Sequence, residues 1–77
     1  MLTAGGYDMP LNMLQIGESN SIKKITGKDD TRKFLANLGF VEGATVTVVS
    51  ELAGNLILNI KDTRVALDKN MARRIMV

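Results

Sequence analysis

The hydrophobic period of this chain changes once, at a glycine, and few folds accommodate that change. Phe34, Leu35 and Leu38 fall at i, i+1 and i+4, which makes one face of a short helix. From Thr45 onward the period is two, as in a strand. Between them stands Gly39, where a left-handed residue ends a helix, with Phe40 placed to fold back onto Leu35 as in a Schellman stop. At the other end, Asp30 or Thr31 is placed to accept a hydrogen bond from the free N–H groups of the first turn. A helix of about two turns is below the ~12–15 residues that persist alone, so its apolar face must dock. The strands that follow are the only surface on offer.

A chain of 77 residues is one small domain with a thin stability margin. It has no cysteine, hence no disulfide, thiolate metal site or cysteine nucleophile. It also lacks histidine, which removes the commonest general base and transition-metal ligand. Ten basic and eight acidic residues leave +2, with both signs scattered, too weak a balance to imply nucleic acid. No apolar run approaches the ~18 residues of a membrane helix, and no secretion leader is visible. The expectation is a soluble cytoplasmic protein whose five methionines fill the core or mark start sites.

Residues 1–8 carry Gly5-Gly6 and no apolar period, and read as a flexible leader with a solvated Tyr7. The domain then spans 9–77. Leu11, Leu14 and Ile16 lay apolar side chains over one end of it. Ser21 to Thr26 reads as a first strand, with Ile22 and Ile25 three apart, a slip that predicts a bulge or bend. After the helix, Thr45 to Leu52 directs Val46, Val48, Ser50 and Leu52 to one face. Ala53-Gly54-Asn55 connects it to a strand with Leu56, Leu58 and Ile60 inward, and Asp62-Thr63 turns into Arg64–Leu67. Asp68 caps a single helical turn before a final edge strand ending at Val77. About five short strands with tight turns predict a mainly β, compact barrel. One short helix falls between its first and second strands, and a helical turn precedes the last.

These residues also resemble a known family. Leu35 to Gly43 reads Leu-x-x-Leu-Gly-x-x-x-Gly, followed by x-x-Val-x-Val at Val46 and Val48. Later come Val65-Ala66-Leu67 and the ending Ala72-x-x-Ile75-x-Val77. The set is similar to FeoA, the small cytosolic partner of the bacterial ferrous iron transporter FeoB. The resemblance implies an SH3-like barrel and a non-enzymatic role in ferrous iron uptake. It implies contact with the transporter's cytosolic GTPase region, and a cytoplasmic place that can be peripheral to the membrane through that partner. The same domain occurs fused to iron-dependent repressors. The alternative is therefore a stand-alone metal- or peptide-sensing module.

The residues themselves assign no catalytic site, no metal site and no cofactor. A nucleophile–base pair would need an unusual lysine, and no phosphate loop ending in Gly-Lys-Ser/Thr occurs. Asp29-Asp30 could offer oxygen ligands, but paired carboxylates before a helix ordinarily serve its dipole. Arg32 and Lys33 open the helix, where they oppose that dipole, which points to another use. Lys61 and Arg64 flank a hairpin turn, and Arg73-Arg74 precede the last strand. These charges form either a solvated face or a patch for an acidic partner or anionic lipid. Gly39 and Gly43 are structural turn residues. Phe40 has two readings, a staple for the helix end or an exposed anchor in a groove beside it. Candidate partner-binding residues are thus Arg32, Lys33, Leu38, Phe40, Lys61 and Arg64. Few aromatics accompany the basic residues, so no nucleic-acid partner is expected. The terminal edge at Ile75–Val77 leaves pairing with a second copy open.

Overall fold

The structure, a computed structural model, describes residues 9–77; the leader and its Tyr7 lie outside the described residues. A 3-10 turn at Leu11–Met13 precedes β1 (Ser19–Ser21) and β2 (Lys24–Ile25). Then follow α1 (Asp29–Asn37), β3 (Thr45–Leu52), β4 (Asn55–Ile60), β5 (Thr63–Asp68), α2 (Lys69–Ala72) and β6 (Ile75–Met76). One antiparallel sheet has the order β1-β3-β4-β5, and a second pairs β2 with β6. Their inner faces enclose Val46, Val48, Leu56, Leu58, Ile60, Leu67 and Ile75, with Leu11, Leu35, Phe40, Ala72 and Val77 closing the core.

The single first strand expected from 21 to 26 is two strands in different sheets, so the described chain has six strands, and α1 falls between β2 and β3. The slip between Ile22 and Ile25 is the crossing itself. Ile22 is 2% exposed, and its backbone bonds to the β3 side: its N–H donates to Ala44 O (2.8 Å), and its carbonyl accepts from Gly43 N–H (2.9 Å). Beyond it, Lys23 N–H donates to Met76 O and Thr26 N–H to Arg74 O, each at 2.7 Å. The chain thus changes sheets while keeping its buried backbone groups bonded.

In β4 the alternation is as expected, with Leu56, Leu58 and Ile60 all buried. In β3 the expectation fails past the middle. The register slips between Val48 and Ser50, leaving Val49 as an extra residue. Such a bulge exchanges the faces of everything beyond it. Leu52, expected inward, is 68% exposed, while Glu51 takes the position opposite Leu56 and its carboxylate reaches Lys69 Nζ at 2.6 Å. Ile16 is likewise exposed rather than covering the barrel end, though Leu11 is buried and Leu14 packs against the core.

Both hairpins have two-residue loops. Ala53 and Gly54 have φ of 53° and 82°, and Lys61 and Asp62 have 49° and 64°. Paired positive φ values are those of a type I′ turn, whose twist suits the strands. The second turn is centred on Lys61-Asp62, one residue before the expected Asp62-Thr63, because Ile60 pairs with Thr63. Asp68 caps α2 as expected, accepting from Met71 N–H at 2.8 Å. The last strand is not an edge. β6 pairs with β2, and Val77 exchanges backbone bonds with Met9 on its other side (2.8 and 3.0 Å).

α1 begins one residue earlier than its expected cap. Lys28 occupies the cap position, no side chain bonds there, and Asp29 and Asp30 both lie in the first turn, where carboxylates complement the dipole. Arg32 and Lys33 therefore sit beyond that turn, and the expected conflict with the dipole is removed. Leu35 is fully buried and Leu38 half-buried, but Phe34 is 49% exposed, being turned about 100° from Leu35. The helix ends as a Schellman motif: Gly39 N–H donates to Ala36 O and Phe40 N–H to Leu35 O, both at 3.0 Å, with Gly39 at φ 107°.

Two backbone substitutions check these turns by urea unfolding. Gly39→Ala places a methyl 3.5 Å from Ile60 Cγ1, an ordinary contact, so its expected loss of about 1 kcal/mol comes from left-handed strain alone. Asp62→Gly, at φ 64°, is expected to gain about 0.5 kcal/mol.

Candidate functional site

The Schellman stop determines what lies beside the helix. After Phe40 the chain turns back, with Val41 N–H on Gly39 O (3.0 Å) and Ala44 N–H on Val41 O (3.1 Å). Gly43, at φ 87°, then ties this return to Ile22, as described above. Val41 and Glu42 consequently face the flank of α1 across an open groove of about 720 Å³. The helix side of the groove carries Asp29, Arg32, Lys33 and Ala36, and Ile25 of β2 closes another side. At 100° per residue the four helical residues share one face, roughly 140° from the direction of Leu35 and Leu38. α1 thus docks on the barrel with one stripe and presents a different stripe to the groove. Phe40 lies under the floor with no exposed surface of its own, which makes it the staple rather than an exposed anchor.

The groove is apolar at its base and charged at its rim. Ile25, Ala36, Val41 and the underlying Phe40 supply the base; Asp29, Arg32, Lys33 and Glu42 supply two charges of each sign. Arg32 approaches Asp29 at 3.9 Å, but both side chains are more than half exposed, so the pair adds little to stability. Among the described residues, Lys33 and Glu42 make no ion pair or side-chain hydrogen bond. Their charges are therefore available to a partner. No group of three or more Asp or Glu side chains converges as a metal ion would need, among the described residues.

Of the residues singled out from sequence, Arg32, Lys33 and Phe40 come together here. Leu38 packs against the core instead of the groove. Lys61 lies at the end of the helix, its Cδ within 3.7 Å of where a Gly39 methyl would stand. Arg64 is exposed on β5, opposite Asn59, and takes no part in the groove. Sequence reasoning passed over Ile25, Ala36, Val41 and Glu42. A small residue at Ala36, four after Arg32 and three after Lys33, was the available signal for an open helix face.

The model of the FeoA domain family matches residues 9–77. Comparison with curated protein sequences gives no match. Among solved structures, an iron uptake regulatory protein (FeoA) is 28% identical with a TM-score of 0.85, over 92% of this chain and 96% of that one. The zinc-complexed FeoA of Stenotrophomonas maltophilia, an SH3 domain protein, is 27% identical with a TM-score of 0.77, over 87% and 86%. A manganese-dependent transcriptional repressor matches at 20% identity and TM-score 0.82, with 91% of this chain covering 40% of the repressor. The last likeness shows the fold alone.

The division between groove and core residues predicts a division in stability. Arg32→Ala and Lys33→Ala are each expected to change unfolding free energy by less than about 0.5 kcal/mol. Leu38→Arg, which forces a charge against the core, is expected to cost about 2 kcal/mol or more in the same urea titration.

Proposed function

The chain belongs to the FeoA domain family, and we propose that it is a non-enzymatic accessory of ferrous iron uptake that docks on the cytosolic GTPase region of a FeoB-type transporter. The Stenotrophomonas maltophilia relative has been put forward as an activating factor of bacterial ferrous iron transport, which supports this assignment. The observation that carries the docking surface is the α1 groove, an apolar base with charges of both signs at its rim.

In this reading the barrel is a rigid adaptor. The helix end is fixed by the two Schellman bonds, and the facing wall is fixed by the bonds joining Gly43 and Ala44 to Ile22. Little ordering entropy is then lost when a partner enters. An apolar side chain of the partner fills the space between Ile25, Ala36 and Val41, while Lys33 and Glu42 pair with its charges and set its orientation. Docking through this groove holds the protein at the inner face of the membrane without any membrane contact of its own. It modulates the transporter by stabilising whichever state of the GTPase region presents the fitting segment.

The test is an NMR titration of the labelled chain with the isolated GTPase domain of its cognate transporter, with and without nucleotide. Shifts are expected to cluster on Ile25, Arg32–Ala36 and Val41–Glu42. Ala36→Trp, which fills the groove from an exposed helix position, is expected to weaken binding at least about tenfold with the fold intact. Shifts confined to the outer face of β3–β5 would refute the groove. Absence of binding to both the isolated domain and the intact transporter in lipid would refute the partner.

A further inference from the structure

Among the described residues, β5 leaves a six-residue sheet edge unpaired. Its hairpin with β4 closes on the pair Ile60–Thr63, which a two-residue loop makes a hydrogen-bonded pair. Alternation then gives the bonded positions to Val65, opposite Leu58, and Leu67, opposite Leu56. The N–H and C=O groups of Arg64 and Ala66, and the N–H of Asp68, point away from the sheet. No other backbone group among the described residues bonds to Arg64 or Ala66. The edge carries no proline and no bulge, and Ala66, between Arg64 and Asp68 among its outward-bonding residues, is exposed. Those are the devices and bulk that ordinarily keep an edge from pairing. β6 is bonded on both sides and β1 offers only three residues, which leaves β5 as the long edge of the described chain.

We propose that β5 is a self-recognition edge, on which a second copy of this chain pairs antiparallel about a two-fold axis through Ala66. The sequence of the strand selects that occupant. Centred on Ala66, an antiparallel pairing sets Arg64 opposite Asp68 of the second copy and Asp68 opposite its Arg64. Val65 and Leu67 fall opposite each other on the inner side. Residues that face across are then those whose backbone groups point outward, so Ala66 exchanges its N–H and C=O bonds with its own copy. Shifting the register by one residue would set outward groups against inward ones and form no ladder. Centring the axis on Val65 sets Asp68 against Asp62 of the copy, and centring it on Arg64 sets two guanidinium groups face to face. Of these three centrings, the one on Ala66 satisfies both the hydrogen bonds and the charges and pairs Arg64 with Asp68 twice, whereas like charges directly opposite weaken a strand pair. A closed, isologous dimer follows, with one continuous sheet across both copies. This surface is separate from the α1 groove, and the proposal stands whether or not the groove binds the transporter.

An edge this short makes a small interface and a weak, exchanging dimer. The test is sedimentation velocity of the full chain together with amide shifts on dilution. The expected dissociation constant lies between about 10 μM and 1 mM, rising with salt, and the dilution shifts fall on Arg64, Ala66 and Asp68. Arg64→Glu sets two acidic pairs across the axis and is expected to raise the constant at least about tenfold. Ala66→Pro removes only an N–H that β4 does not use, and is expected to abolish dimerisation while the core amide spectrum is retained. A chain that stays monomeric at about 1 mM overturns the proposal. So does a dimer that Arg64→Glu leaves unchanged, or dilution shifts confined to another surface.

Discussion

The bond from Phe40 N–H to the Leu35 carbonyl governs more of this molecule than its single hydrogen bond suggests. It exists only because Gly39 takes a φ of 107°, a conformation that costs a side-chain-bearing residue about 1–2 kcal/mol. Once made, it brings Phe40 under the helix end, where the ring is fully buried beside Leu35 among the residues of the core. That burial is what holds a nine-residue helix, too short to persist alone, against the barrel. It also reverses the chain, and the reversal sets Val41 and Glu42 across from the exposed stripe of α1. Core, helix and groove therefore depend on one turn.

How far the fold could be read from the sequence follows from how local each feature is. The Schellman stop, the Asp68 cap and the alternation of Leu56, Leu58 and Ile60 involve residues within a few positions of one another, and each stands where local reasoning placed it. Features that depend on a distant strand were misplaced. Ile22 and Ile25 read as one bent strand because nothing nearby says that Ser21 pairs with Thr45 while Lys24 pairs with Met76. The bulge at Val49 is of the same kind. Only the register against β4 shows that Leu52 is turned out and that Glu51 stands opposite Leu56.

The site was legible in the same partial way. Arg32 and Lys33 drew notice for a supposed mismatch with the dipole that vanishes once the helix starts at Asp29. Their place in the groove has another cause: they share a helix face with Ala36 that is turned away from Leu35. Ile25, Val41 and Glu42 could not have been found, since they reach the groove from β2 and from the returning chain. The manganese-dependent repressor has a similar fold at 20% identity, and a fold shared at that level carries no function with it.

The α1 groove and the β5 edge lie on neighbouring elements. The β4–β5 turn brings Lys61 over the end of α1, so the strand that offers an open edge begins beside the helix that walls the groove. A partner in the groove would contact α1, β2 and the 41–42 return, and a second copy paired about Ala66 would contact β5 and the start of α2. Neither set of residues includes a member of the other. Pairing through β5 would use none of the groove residues, so self-association would raise the number of grooves presented together instead of consuming them. If the groove serves as a docking site, that arrangement has a physical advantage. Two weak contacts on a linked pair bind a two-sited partner more tightly than either groove alone, with no new contact made.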